Sequence, residues 1–236
     1  MKTILLLHGW GISFYYGRTD KPTWHYKLNF INEMKKLFDV HLIDMPGFGL
    51  TPPPESKKWE LDDFADYLEN YLNKNNIKLD YLLGHSFGGP VAIRWKTKYK
   101  NKTKLILDCP AIIRNYGNSK SFTKTPAFLD PIREMLRELY LIYITKTPEM
   151  VHGSKFHRKT YQRIVREELL DELLLINPKD LIIIYGREDD MVDPKRAFDY
   201  MSEKYKRRVK FIENGGHEIA VTHTEEVMSV IKEFIK

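Results

Sequence analysis

The 236-residue sequence predicts an α/β fold, a mostly parallel sheet of about six strands with helices on both faces and a helical insertion. Three observations carry this. Short apolar runs alternate with amphipathic stretches in both the first and the last part of the chain, the pattern of a sheet covered on two sides. One run leads through Gly84-His85-Ser86-Phe87-Gly88-Gly89 into a helical stretch. Between Pro110 and Pro178 the alternation stops and no strand pattern is found.

Residues 3–7 read as the first strand, ending in His8-Gly9-Trp10-Gly11, where glycines permit a tight turn. The apolar run before that turn is too short for a signal-peptide core and lacks a small-residue cleavage site. A loop containing Tyr15, Tyr16 and Gly17 runs to about Thr23. The spacing then predicts a helix over 24–38 with Leu28, Ile31 and Leu37 on one side. A strand over 40–43 is broken by Asp44-Met45-Pro46-Gly47-Phe48-Gly49. Leu61, Phe64, Leu68, Tyr71 and Leu72 recur at helical spacing, giving a helix over about 60–73. Residues 79–83 form the next strand, Pro90 fits the first turn of the helix after it, and 104–108 is a fourth strand.

Within the insertion, Asp130-Pro131 signals a helix start, with Ile132, Met135, Leu136, Leu139 and Tyr143 as its apolar stripe. Thr147-Pro148-Glu149 opens a second helix, and Tyr161, Ile164, Val165, Leu169 and Leu173 mark a third. The division predicted is a core of 1–109 and 179–236 and an insertion of 110–178. The sheet pattern resumes over 181–185, followed by Gly186-Arg187-Glu188-Asp189-Asp190. Asp193-Pro194 caps a helix to about Lys204, and 208–212 is the last strand, leaving through Asn214-Gly215-Gly216-His217. Thr224 caps the final helix, with Glu225 and Glu226 in its positive first turn and Val227, Val230, Ile231 and Phe234 facing inward.

Composition bounds the function. A 42% hydrophobic and 30% charged chain fits a soluble globular protein, and no apolar run reaches the roughly 18 residues of a membrane span. The single cysteine, Cys109, rules out an internal disulfide and suits a reducing, cytoplasmic setting, where it reads as a small buried hydrophobe. A net charge of +6 favours anionic partners in general. Yet the densest basic cluster (Lys204, Lys206, Arg207, Arg208, Lys210) spans a helix end and a strand start, which reads as a solvated edge rather than a nucleic-acid patch.

In parallel sheets, reacting groups gather at the carboxyl ends of strands. Three such ends carry Ser86, Asp189 and His217. The sharp strand-to-helix turn would force Ser86 into a sparsely populated backbone conformation, and Gly84 and Gly88 remove side chains that would collide there. Asp190 and Asp108 stay open as alternatives to Asp189, whereas Asp193 is explained as a helix cap. The histidines show no metal-ligand spacing, and Gly47-x-Gly49 lacks the third glycine and the helix of a dinucleotide loop, so neither a metal nor a cofactor is expected.

The order Ser…Asp…His, with His-Gly-Trp-Gly, Asp-Met-Pro-Gly-Phe-Gly, Gly-His-Ser-Phe-Gly-Gly, Tyr-Gly-Arg-Glu-Asp-Asp-Met-Val and Gly-Gly-His in register, resembles the α/β-hydrolase superfamily and its lid-bearing serine esterases. The chain departs from that pattern at its start, because the antiparallel strands that usually precede His-Gly are missing. Hence about six strands are expected rather than eight. The resemblance implies Ser86 as nucleophile, His217 as base and Asp189 as its partner. It implies an oxyanion hole from the backbone N–H groups of Trp10 and Phe87, with Gly9, Gly84 and Gly88 as loop and elbow glycines. His8 would shape the first loop. Residues 110–178 would be a lid, with Phe122, Phe128, Met135, Leu139, Tyr140 and Tyr143 fitting an apolar cavity. The implied activity is cofactor-free hydrolysis of a small-molecule carboxylic ester, falling as pH drops through the ordinary histidine range of roughly 6–7. C–C bond hydrolysis of a diketone-type substrate is the alternative, and a non-catalytic ligand-binding role a further one. Relatives that dehalogenate alkanes or open epoxides carry Asp where this chain has Ser86.

Overall fold

The structure, a computed structural model, describes residues 1–55, 58–113, 135–136 and 138–236. Six strands form one sheet: β1 (Lys2–Leu7), β2 (Phe38–Ile43), β3 (Tyr81–His85), β4 (Lys104–Asp108), β5 (Leu181–Gly186) and β6 (Val209–Ile212). Their order is β2-β1-β3-β4-β5-β6, and every neighbouring pair is parallel. The α-helices whose bounds the described residues give are α1 (Leu28–Lys35), α2 (Leu61–Lys74), α3 (Gly88–Tyr99), α4 (Pro148–His152), α5 (Lys155–Ile164), α6 (Leu170–Leu173), α7 (Pro194–Tyr200), α8 (Glu203–Lys206), α9 (Ile219–Thr222) and α10 (Thr224–Ile235).

Successive strand residues point to opposite faces, and here both faces are buried. Leu5, Leu7, Leu82, Leu105, Leu107 and Ile183 pack with Phe64 and Leu68 of α2 and Val91 and Trp95 of α3. Ile4, Leu6, Leu83, Ile106 and Ile184 pack the other way, with Phe30 and Met34 of α1 and Val227 and Ile231 of α10. This is why the strands read as unbroken apolar runs. α2 starts on a reciprocal cap, Glu60 taking the backbone of Asp63 and the Asp63 carboxylate the Glu60 N–H at 2.7 Å.

Several elements depart from the sequence reading. α1 is shorter at both ends than 24–38. Lys27, just before it, is buried on Glu218, and Phe38 has passed into β2 opposite Lys2. Its buried face is Phe30, Ile31 and Met34, while Leu28 is exposed. The helix after Asp193 stops at Tyr200 because Met201 turns inward in extended conformation, and the chain becomes helical again at Glu203. The third insertion helix splits into α5 and α6, where the buried Leu169 gives its N–H to the Ile112 carbonyl at 3.0 Å. Thr224 opens α10 as its first residue, not its cap, and its hydroxyl donates to the Ala220 carbonyl at 2.9 Å. Of the expected apolar stripe and cavity residues, Met135, Leu136, Leu139, Tyr140 and Tyr143 are exposed. Phe122, Phe128, Ile132 and the Asp130-Pro131 start lie outside the described residues. Among the described residues no helix is long and apolar enough to cross a membrane.

Candidate active site

β3 delivers Ser86 at its carboxyl end, and α3 begins two residues later. Ser86 has φ 50°, the left-handed region that strains an L-residue by about 1–2 kcal/mol. The turn is held from three sides: Ser86 gives its N–H to the Asp108 carbonyl at 2.9 Å, and its carbonyl accepts from the Gly89 and Ala111 N–H groups at 3.1 and 3.2 Å. Both elbow glycines are sterically required. A Cβ on Gly84 would lie 2.4 Å from the Gly88 carbonyl oxygen, and one on Gly88 would lie 2.5 Å from that of Leu7.

The loop after β1 passes directly over the serine. A Cβ on Gly9 would sit 3.1 Å from that of Ser86. His8 fixes this loop. Its Nδ1–H donates to the Gly9 carbonyl at 2.7 Å, and its Nε2 accepts the Met45 N–H at 2.9 Å. One nitrogen donates and the other accepts, so the ring is neutral. Burial lowers its pKa to about 4 against the pull of its bond to Gly9. Trp10 is tied by its indole N–H to the Tyr15 hydroxyl at 2.7 Å. Among the described residues, the backbone N–H groups of Trp10 and Phe87 are given to no acceptor.

His217, on the loop after β6, gives its Nδ1–H to Asp189 Oδ2 at 2.8 Å. The other carboxylate oxygen accepts the Met191 and Val192 N–H groups at 2.9 and 3.1 Å. The Asp189 side chain is fully buried and that of His217 is 11% exposed. Burial pushes the Asp189 pKa up, but the His217 bond and charge and the two backbone donors outweigh it, so the carboxyl lies below its usual range. Among the described residues, neither His217 Nε2 nor Ser86 Oγ makes a hydrogen bond.

The alternative acids fall elsewhere. Asp190 is exposed, and Asp193 accepts the Arg196 N–H at 2.9 Å as the cap of α7. Asp108 serves a different histidine: His85 Nδ1 lies 2.8 Å from its Oδ2. The same ring brings Nε2 to 3.4 Å from Glu218 Oε1, and Glu218 Oε2 lies 2.8 Å from the Lys27 ammonium. The Tyr26 hydroxyl donates to Glu218 at 3.3 Å. Sequence reasoning missed Lys27, Tyr26 and Glu218. The one signal was adjacency, since His85 precedes Ser86 and Glu218 follows His217.

Ligand atoms of Cys109, Asp189 and His217 lie within 4.8 Å of one another. Both Asp189 oxygens and the His217 Nδ1 are already engaged in hydrogen bonds, and burial pushes the Cys109 thiol far up, away from the thiolate a metal needs. The donor chemistry is therefore that of a hydrogen-bonded cluster.

α5 docks beside the Trp10 loop. His157 donates to the Gly47 carbonyl at 2.6 Å and stacks on Tyr15 at 3.7 Å, and Thr160 Oγ1 accepts the Trp59 N–H at 2.9 Å. Tyr161 meets Trp10 at 5.6 Å between ring centroids. Burial lowers the His157 pKa to about 4.

A six-stranded parallel sheet with a left-handed serine at the β3 exit and a histidine–carboxylate pair at the β5 and β6 exits defines a hydrolase scaffold. The chain belongs to the alpha/beta hydrolase family, whose model matches residues 4–230. It is similar to the pimeloyl-[acyl-carrier protein] methyl ester esterase of Aeromonas hydrophila, 22% identical over 98% of this chain and 94% of that protein. It is also similar to the human monoacylglycerol lipase ABHD6, 22% identical over 99% of this chain and 75% of the relative. Among solved structures it matches a meta-cleavage product hydrolase from Pseudomonas fluorescens IP01 with a TM-score of 0.65 and 20% identity, over 100% and 90% of the two chains. That likeness is one of fold.

Proposed function

We propose that the chain is a serine hydrolase that cleaves carboxylic esters through an acyl-enzyme on Ser86. The observation that carries the reading is the His217–Asp189 hydrogen bond at the same sheet edge as a serine held at φ 50° under the Gly9 loop. A hydroxyl is a weak nucleophile at neutral pH, so His217 Nε2 takes its proton as Oγ attacks the ester carbonyl. Asp189 holds the ring in the tautomer with Nε2 free and stabilises the imidazolium. The N–H groups of Trp10 and Phe87 receive the oxyanion, and losing one such donor costs roughly 3 kcal/mol of transition-state stabilisation. His217 then protonates the departing alkoxide, and water, deprotonated by the same ring, releases the acid. Residues 110–178 act as the lid in this reading, with the α5 contact to the Trp10 loop as its described anchor. That one relative is a methyl ester esterase and another a monoacylglycerol lipase supports a carboxylic ester as the substrate.

The test is turnover of p-nitrophenyl acetate and butyrate. An initial burst of nitrophenol matching the enzyme concentration, absent in Ser86→Ala, is expected; full turnover by Ser86→Ala contradicts the acyl-enzyme. The same residues would serve C–C hydrolysis, so a dienone-type diketone run beside the esters decides between the two bonds.

A further inference from the structure

We propose that His85 is a positioning residue, held as an imidazolium between Asp108 and Glu218, and that this ion chain fixes the His217 loop against the Ser86 elbow. The inference rests on the hydrolase reading above. Its geometry is independent of it.

Both nitrogens of the His85 ring face carboxylate oxygens, at 2.8 Å to Asp108 and 3.4 Å to Glu218. A neutral imidazole has one bare nitrogen, which here would aim its lone pair at a carboxylate. A ring protonated on both nitrogens instead presents positive charge to both carboxylates, through a hydrogen bond to Asp108 and an ion-pair contact to Glu218. The chain then alternates: Asp108 negative, His85 positive, Glu218 negative, Lys27 positive. Asp108, His85 and Lys27 are each at most 2% exposed. Glu218, with 42% of its side chain exposed, closes the set at the surface, and without it the buried His85 and Lys27 charges would face Asp108 alone.

The members sit where they would matter. His85 is bonded in the chain to Ser86, and Glu218 to His217. The Asp108 carbonyl holds the Ser86 N–H, and the His85 ring lies 5.2 Å from that of His217. A shift in the His85–Glu218 contact therefore moves base relative to nucleophile, the displacement to which a proton transfer is most sensitive. The charged and titratable groups facing His85 are Asp108 from β4, Glu218 and His217 from the loop after β6, Lys27 ahead of α1 and His8 from the end of β1. Burial and the Lys27 charge pull the His85 pKa down, but the two carboxylates outweigh them and it lies above the ordinary value.

The experiment is nitrogen-detected NMR of histidine-labelled protein across pH, with His85 assigned by its loss in His85→Gln, beside steady-state kinetics of Glu218→Gln. Both His85 nitrogens should stay protonated above the ordinary histidine value of about 6.5. Glu218→Gln should move that titration down and cut kcat at least tenfold with KM within twofold. Wild-type kcat should fall on the alkaline side as His85 discharges. A His85 that titrates at or below the ordinary value overturns the proposal, as does a folded Glu218→Gln with wild-type kcat. Should Glu218→Gln fail to fold, the wild-type titration and the alkaline limb decide alone. A protein without hydrolysis or phosphonate labelling overturns the functional reading instead, and leaves the NMR result for the ion chain intact.

Discussion

At the candidate site two histidine–aspartate pairs lie side by side, and they are built on the same contact. In each, Nδ1 lies 2.8 Å from Asp Oδ2. What differs is the second nitrogen. His85 is closed off by Glu218 and 2% exposed, while His217 is 11% exposed and its Nε2 meets no partner among the described residues. A nitrogen already faced by a carboxylate cannot collect a proton from a serine, and an open one can. The bond to aspartate is thus not what marks a base. The free valence beyond it is.

The largest expected effect separates the pairs. His217→Ala or Ser86→Ala should reduce ester turnover on the order of 10⁴-fold or more, with the circular dichroism unchanged. Next comes the contrast between the acids. Asp189→Asn should lower kcat on the order of 10⁴-fold by favouring the wrong tautomer. Asp108→Asn, acting only through His85, should lower it far less. Equal losses in the two variants would erase the distinction.

Acid and alkali should then weaken the fold through different histidines. His8 and His157 are buried neutral, with pKa values lowered to about 4 from an unfolded value near 6.5. The unfolded chain binds more protons between those values, so stability is full above 6.5 and drains away as pH falls toward 4. Each contributes up to about 3 kcal/mol, seen as a falling melting temperature. His85 has the opposite sign. Its raised pKa adds stability that is present below the unfolded value and is lost as pH rises through the folded one. A melting temperature flat from pH 4 to 7 would contradict the neutral pair. Smallest is Gly84→Ala, whose Cβ meets backbone at 2.4 Å and should cost about 2–3 kcal/mol in denaturant midpoint analysis.

How much of this was legible follows from range. The six strands and the elbow announce themselves locally, in apolar runs such as 181–185 and in glycines two residues either side of Ser86. The choice among Asp189, Asp190 and Asp108 was open because it depends on which histidine each meets in space. Helix ends failed for the same reason: α1 begins where Lys27 is drawn to Glu218, and α5 ends before a strut from Leu169 to Ile112, contacts between distant parts of the chain. The ion chain through Lys27, Glu218 and His85 was announced only by the adjacency of His85 to Ser86 and of Glu218 to His217, because charged residues in sequence read as solvated faces until tertiary packing buries some of them, here Lys27 and His85.

The central claim is that Ser86 is made reactive by the ring of His217. Its most direct test is mass spectrometry of the folded protein after brief exposure to a fluorophosphonate. A single adduct is expected on the peptide carrying Ser86, with labelling lost in His217→Ala and retained in Asp190→Asn. An unmodified Ser86, or labelling at the same rate without His217, would contradict it.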